Sequence, residues 1–298
     1  LALWQANHIK DRIQDAFPGS RVELSIIKTT GDRITDRPLA AVGGKGLFVK
    51  EIETALLNRD IDLAVHSMKD MPGILPPGLE IGAVPARENP FDALICRDND
   101  QSLDTLPSGS VVGTSSLRRA SQIKHARPDL DIKSIRGNLD TRLKKLESGE
   151  YDAIILAAAG LRRLGQADRI TQLLDNALMV PAVGQGALCI ETRQDDPEMA
   201  RVMAALDHES TRICVMGERA FLKQIEGSCH IPVACFASMD QGRVNMTAMV
   251  ASEDGARLIR KERTSDTGSA RSAGRELAQE LLESGGKDIL ENLKAHDS

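Results

Sequence analysis

Ser110-Val111-Val112-Gly113-Thr114-Ser115-Ser116-Leu117-Arg118-Arg119 is the stretch from which the rest of the chain can be read. A short apolar run ends in glycine, three hydroxylated residues follow, and a helical pattern opens at Leu117. A strand that turns at once into a helix is the building unit of an α/β fold. That unit also gathers backbone N–H groups at a helix start, where the dipole favours an anion. Arg118 and Arg119 add forked, permanently charged donors suited to carboxylates or phosphates. Taken alone, the same residues also describe a Ser- or Thr-capped helix carrying a solvated arginine pair.

Outward from that stretch, apolar runs at 93–96, 132–135 and 153–156 read as further strands with helices between them. Arg136-Gly137-Asn138 follows one of these, with Arg142 a little further on, and Arg162 and Arg163 follow another. Three strands of one sheet would then each deliver arginine near their C-terminal ends, the edge where open α/β sheets bind ligands. A solvated face is the ordinary fate of a single arginine; the repeated position points to a polyanion.

Towards the N-terminus, Ala2, Ala6, Ile9, Ile13 and Phe17 lie at helical spacing up to Pro18-Gly19. A strand at 22–27, a glycine loop at 43–46, a helix at 47–57 and strands at 61–65 and 79–84 come next. This alternation predicts a parallel α/β sheet. Beyond the second set, Val180-Pro181-Ala182-Val183-Gly184-Gln185-Gly186 breaks the pattern, and 187–191 reads as a lone strand placed to return to the first sheet. The last third differs: a long helix at 209–225, strands at 231–238, 243–251 and 256–263, then helices at 269–282 and 287–295. Consecutive strands followed by helices predict a small α+β domain.

The 298 residues suffice for two or three domains. Aromatic residues make up only 2%, which argues against single-stranded nucleic-acid binding through stacking. A net charge of −5 argues against a duplex-coating protein, so a basic patch here is aimed at a small anion. The five cysteines include no Cys-x-x-Cys pair, which indicates neither a zinc site nor a disulfide framework and favours a reducing cytoplasm. No run reaches the roughly 18 apolar residues of a membrane span.

Three further motifs carry chemistry. His66-Ser67-Met68-Lys69-Asp70 follows a strand and precedes a proline, so Asp70 is placed to act as an acid/base or cation-stabilising group, or simply to decorate a loop. Gly43-Gly44-Lys45-Gly46-Leu47-Phe48 lacks the order of a phosphate loop and reads as a glycine lid presenting Lys45 and Phe48, or as a bare surface loop. Glu226-Gly227-Ser228-Cys229-His230-Ile231-Pro232 puts a thiol after a Gly-Ser turn, at a loop tip or in a core. Cys96, Cys189, Cys214 and Cys235 are expected to pack.

Together with Val42 to Phe48 and Pro181 to Gly186, these motifs resemble, in order, the porphobilinogen deaminase (hydroxymethylbilane synthase) family over essentially the whole chain. The resemblance implies a fold of two periplasmic-binding-protein-like α/β domains joined by a double crossover hinge, plus a C-terminal α+β domain carrying the cofactor cysteine. The expected divisions are 1–86 with 187–206, 91–181, and 209–298. It implies a transferase of haem biosynthesis that joins four porphobilinogen molecules head to tail into hydroxymethylbilane, releasing ammonia each time. The product grows on one covalent dipyrromethane cofactor per chain, attached by a thioether to Cys229; the residue before it is commonly glycine in the family and is Ser228 here.

On the same resemblance Asp70 is catalytic, stabilising the azafulvene cation formed as ammonia leaves. Lys69, Thr114, Ser115, Ser116, Arg118, Arg119, Arg136, Gly137 and Gln185 would bind the cofactor, and Lys45, Phe48, Ser67, Arg142 and Arg163 the substrate. Each pyrrole ring carries an acetate and a propionate, which accounts for so many arginines. The implied protein is a cytoplasmic monomer without nucleic acid, membrane or metal. Family members begin with a strand and an Arg-x-Ser-Pro turn ahead of Leu1-Ala2-Leu3-Trp4, so a polypeptide made without them is expected to be unstable or inactive. The rival from another class is a periplasmic-type solute-binding protein for a dicarboxylate; it needs neither the cleft cysteine nor the third domain.

Overall fold

The computed structural model describes residues 1–29, 49–225 and 231–296, the last three of these by backbone alone. The glycine loop with Lys45 and Phe48, and the loop with Cys229, lie outside the described residues. In chain order come α1 (Ala2–Ala16), α2 (Lys50–Leu57), β1 (Leu63–Ser67), a 3-10 turn (Met68–Asp70), β2 (Leu79–Ala83), β3 (Asp92–Cys96) and β4 (Val111–Gly113). Then follow α3 (Leu117–Ala126), β5 (Asp131–Lys133), α4 (Leu139–Glu147), β6 (Ala153–Ala157), α5 (Ala158–Arg163), β7 (Gln172–Leu174) and β8 (Leu188–Arg193). The chain ends with α6 (Pro197–Leu206), α7 (Glu209–Gln224), β9 (Val233–Asp240), β10 (Arg243–Ala251), β11 (Leu258–Asp266), α8 (Ala270–Leu281) and α9 (Lys287–His296).

These elements form two compact units: Leu1–Glu88 with Ala187–Arg212, and Asn89–Gly186 with Ile213–Ser298. In the first, the strand order is β1-β8-β2. The returning strand expected near 187–191 is β8, and it sits in the middle, antiparallel to both neighbours. Every described pairing in this sheet is therefore antiparallel, against the expectation of a parallel sheet. A strand arriving from outside the βαβ alternation is not bound by the crossover geometry that keeps parallel strands aligned. Period-2 alternation splits β1: Leu63 and Val65 pack with Ile9 and Ile13 of α1 and with Met203 and Leu206 of α6, whereas Ala64 packs with Leu56 and Leu79. The expected strand at 22–27 is not one, because no described strand pairs with it and Ile26 is 77% exposed. An apolar alternation without a neighbour leaves its backbone groups to water.

In the second unit the sheet order is β5-β4-β6-β3-β7. The strands β4, β5 and β6 run parallel, and β3 is antiparallel to β6 and β7. All five residues of β3 are buried, as a strand covered on both faces requires. The antiparallel sheet β11-β10-β9 carries α7, α8 and α9 on a core that includes Phe221, Val244, Met246, Leu277 and Leu281. Helices α7 and α8 meet through glycine: a Cβ on Gly274 would lie inside the Gly217 carbonyl. A second apolar cluster joins Val180 and Phe91 to Phe236 and Met249, so this sheet and the five-stranded one share buried surface.

Candidate functional site

Three parallel strands of the five-stranded sheet deliver the arginine region. After β4, Thr114 N donates to Lys133 O (2.9 Å), and the Ser115 hydroxyl bonds the Ser134 hydroxyl (2.9 Å) and Ile135 O (2.5 Å). Ser116 occupies the N-cap of α3 with no side-chain cap bond, so simple capping does not account for these hydroxyls. Thr114 is buried, with Oγ1 accepting from Ser116 N (3.2 Å), while Ser115 is exposed.

Arg118 and Arg119 follow at once, and the structure departs from the expectation of a pair facing only an outside anion. Both are buried, at 5% and 7% exposure, around Asp92 at 0%. Arg118 Nη1 donates to Asp92 Oδ2 (2.8 Å) and Val180 O (2.8 Å), and Nη2 to Asp92 Oδ1 (3.1 Å). Arg119 Nε donates to Asp92 Oδ1 (2.8 Å) and Nη1 to Ile155 O (3.0 Å). Gln185 Nε2 donates to the same Oδ1 (3.1 Å) and to Pro90 O (2.7 Å). Burial alone would raise the Asp92 pKa, but Arg118 and Arg119 hold it well below the usual carboxylate range. Burial pushes Arg119 down; Asp92 opposes that, while Arg118 and Arg142 add to it. Asp92 was not singled out from sequence. Its signal was an acid opening the otherwise apolar run Asp92-Ala93-Leu94-Ile95-Cys96, where a charge needs a partner.

Beyond β5, Arg136 is exposed and Gly137 takes φ +111. Asn138 caps α4, its Oδ1 accepting from Thr141 N (2.9 Å). Arg142 folds back, its Nε donating to Gly137 O (2.8 Å), and burial lowers its pKa. After β6, Arg163 Nη2 donates to Gly186 O (2.7 Å). Arg118, Arg119 and Arg142 thus share one electrostatic neighbourhood, while Arg136 stands out in solvent and Arg163 is tied to the turn that carries Gln185. A donor set of guanidinium groups and hydroxyls around strand ends suits a ligand with several carboxylates.

The first unit carries the acidic residue singled out from sequence, Asp70. Strand β1 runs into the 3-10 turn, where Met68 N donates to Ala187 O (3.0 Å) and Met71 N to Met68 O (3.2 Å). This leaves Asp70 exposed and Lys69 half-buried. Gln5 Nε2 of α1 donates to Ser67 Oγ (3.0 Å). His66 is a packed histidine, its Nε2 lying 3.0 Å from Oε2 of the fully buried Glu191 on β8. Glu53 of α2 has a pKa raised by burial and by Glu191, with His66 opposing. Glu53 and Glu191 were missed from sequence, since each sits within an ordinary helical or strand pattern.

Cys96, Cys189, Cys214 and Cys235 are buried and unbridged, and burial raises the Cys96 thiol pKa. Among the described residues no His/Cys/Asp/Glu group could hold a metal ion, and no helix is long and apolar enough to cross a membrane.

Two family models match the chain: "Porphobilinogen deaminase, dipyromethane cofactor binding domain" over residues 1–201, and "Porphobilinogen deaminase, C-terminal domain" over residues 212–283. A porphobilinogen deaminase of Syntrophobacter fumaroxidans is 52% identical over 293 residues, covering 98% of this chain and 94% of that one. Among solved structures, a probable amino-acid ABC transporter extracellular-binding protein from Bacillus subtilis has a TM-score of 0.42 at 14% identity, covering 68% of this chain and 79% of that one. An ancestral cationic amino acid solute binding protein has a TM-score of 0.40 at 16% identity, covering 68% and 77%. At that distance the likeness carries no argument about this chain's ligand.

Proposed function

The chain belongs to the porphobilinogen deaminase family, and on that premise we propose how its residues divide the work. It is a hydroxymethylbilane synthase, a transferase of porphyrin (haem) biosynthesis that condenses four porphobilinogen molecules head to tail with release of ammonia. The family's dipyrromethane cofactor supplies, when bound, the covalent anchor on which the product is assembled.

The donor set fits that cofactor, whose carboxylates need several fixed cations. Arg118, Arg119, Arg136 and Lys69, with the Thr114, Ser115 and Ser116 hydroxyls, the open Gly137 backbone and Gln185, hold it, and Cys229 is its attachment point. The observation that carries this assignment is the grouping of Arg118, Arg119 and Arg142 beyond the ends of the paired parallel strands β4 and β5. Arg142, Arg163, Lys45, Ser67 and Phe48 take the incoming substrate.

At each condensation the aminomethyl C–N bond breaks, a C–C bond forms to the α-carbon of the next pyrrole, and that carbon loses its proton. Asp70 is exposed on a turn pinned by backbone bonds, so its carboxylate can accept from pyrrole N–H groups and offset the cation left as ammonia departs. Lys69 beside it offers a carboxylate partner without competing for N–H donors.

The proposed domains are 1–86 with 187–206, 91–181 and 209–298. The separate sheet β9 to β11 with its own core supports the third. The protein works as a cytoplasmic monomer without nucleic-acid, membrane or metal partners. Its net charge of −5 and scarcity of aromatic residues support the exclusion of nucleic acid. The solute-binding alternative has no observation in its favour.

Intact mass spectrometry of the purified chain beside Cys229→Ser tests the reading. An added mass of two linked pyrrole units, absent from Cys229→Ser, is expected. The same mass on both proteins, or on neither, overturns the attachment.

A further inference from the structure

Asp92 is a carboxylate that the assignment of the site has so far left without a task. Two adjacent guanidinium groups, each less than a tenth exposed, surround it. Neither could remain there without a counter-charge, because a buried charge is strongly unfavourable unless paired, and like charges side by side add to the cost. Asp92 is the acid that Arg118 and Arg119 share. One negative charge against two positive ones leaves the group net positive, so the pairing does not exhaust what the arginines can bind.

The geometry is also directional. Val180 O accepts from Arg118 and Ile155 O from Arg119, and Gln185 Nε2 fixes the carboxylate from another side. Among the described residues Arg118 makes three hydrogen bonds, fewer than its five N–H groups can donate. The arginines are therefore set in orientation before any ligand carboxylate arrives, the condition under which binding loses least to ordering.

Resting on the dipyrromethane assignment above, we propose that Asp92 is the resident counter-ion of the cofactor site. As a positioning residue it keeps Arg118 and Arg119 paired and aimed while no cofactor is bound, and leaves the pair one net positive charge for the cofactor's carboxylates. Its charge matters most to the unloaded protein, since a loaded site brings carboxylates of its own. A purely structural ion pair would matter equally to both.

The test compares thermal midpoints of the loaded protein and the unloaded Cys229→Ser protein, each with Asp92 intact, with Asp92→Asn and with Asp92→Glu. Loading is read from the intact mass. The loaded–unloaded gap is expected to widen by several degrees in Asp92→Asn and to return towards the parent value in Asp92→Glu. Recovery of Asp92→Asn only in its loaded form is the extreme of the same result and supports the proposal. An unchanged gap, with the added mass present, overturns it.

Should neither form of Asp92→Asn fold, Asp92→Glu decides. A carboxylate displaced by one methylene is expected to keep the added mass and to lower the thermal midpoint of the unloaded protein more than that of the loaded one, and equal changes in both overturn the proposal. A parent chain lacking the added mass would instead overturn the cofactor assignment, and the counter-ion role with it.

Discussion

The roles proposed for Asp70 and Gly137 rest on different means, one on its charge and the other on having no side chain. Asp70→Asn keeps the shape of the turn and removes the negative charge beside the departing ammonia. Turnover is expected to fall by about 10²–10⁴-fold while the cofactor mass is retained. Single-turnover assays with mass analysis check this, and near-parental turnover would dismiss Asp70 as the catalytic group. Gly137 sits at φ +111, and a Cβ there would come within 2.6 Å of Thr141 Cγ2. Gly137→Ala is expected to cost about 1–2 kcal/mol for the backbone alone. It should also raise KM by moving Arg136, with urea unfolding and steady-state kinetics as the measurements. The sequence made the cations of this site legible, because arginines after successive strands repeat a position. It hid Asp92, Glu191 and Glu53, since a buried acid is recognised by its partner and those partners lie far along the chain.

Secondary structure was nearly all readable where an element carries its own periodicity, as in α1, α7 and β10. What escaped was set by neighbours: β7 is only Gln172–Leu174 and exists because β3 offers an edge, whereas no described strand pairs with 22–27. The α7–α8 crossing is likewise invisible until Gly217 and Gly274 face one another. Gly274→Ala forces the helices apart and is expected to destabilise the chain by ~1–3 kcal/mol, read from the denaturation midpoint. The layer under α2 yields a pH prediction. Glu53 has a folded pKa above its ordinary 4.5, so its proton favours folding. That contribution is fully present below 4.5 and is lost as pH rises through the folded value. Glu53→Gln imitates the protonated form, so its thermal midpoint should match the parent below pH 4.5, exceed it by a growing margin above that, and level off past the folded value. The opposite trend would mean the carboxylate is stabilised where it lies.

For the whole molecule, the C-terminal sheet and the five-stranded sheet belong to one unit. His125 Nδ1 lies 2.9 Å from Gly255 O, Asn176 Nδ2 donates to Thr247 Oγ1 (2.9 Å), and Glu218 accepts from both Gly184 N and Ala237 N. Amides of β6 and β10 are therefore expected to exchange through one common opening, with the same denaturant dependence by native-state hydrogen exchange. Separate dependences would make the third domain an independent folding body. The first unit raises a different matter. Its strands β1 and β2 are joined through β8, which enters the sequence only after every strand of the five-stranded sheet. Among the described residues β1 and β2 pair only with β8, so on the ribosome their edges, with the Asp70 turn between them, wait for Leu188–Arg193. The turn that carries Asp70 is thus among the last parts of the first unit to be fixed, and a polypeptide halted before β8 exposes those edges instead of folding.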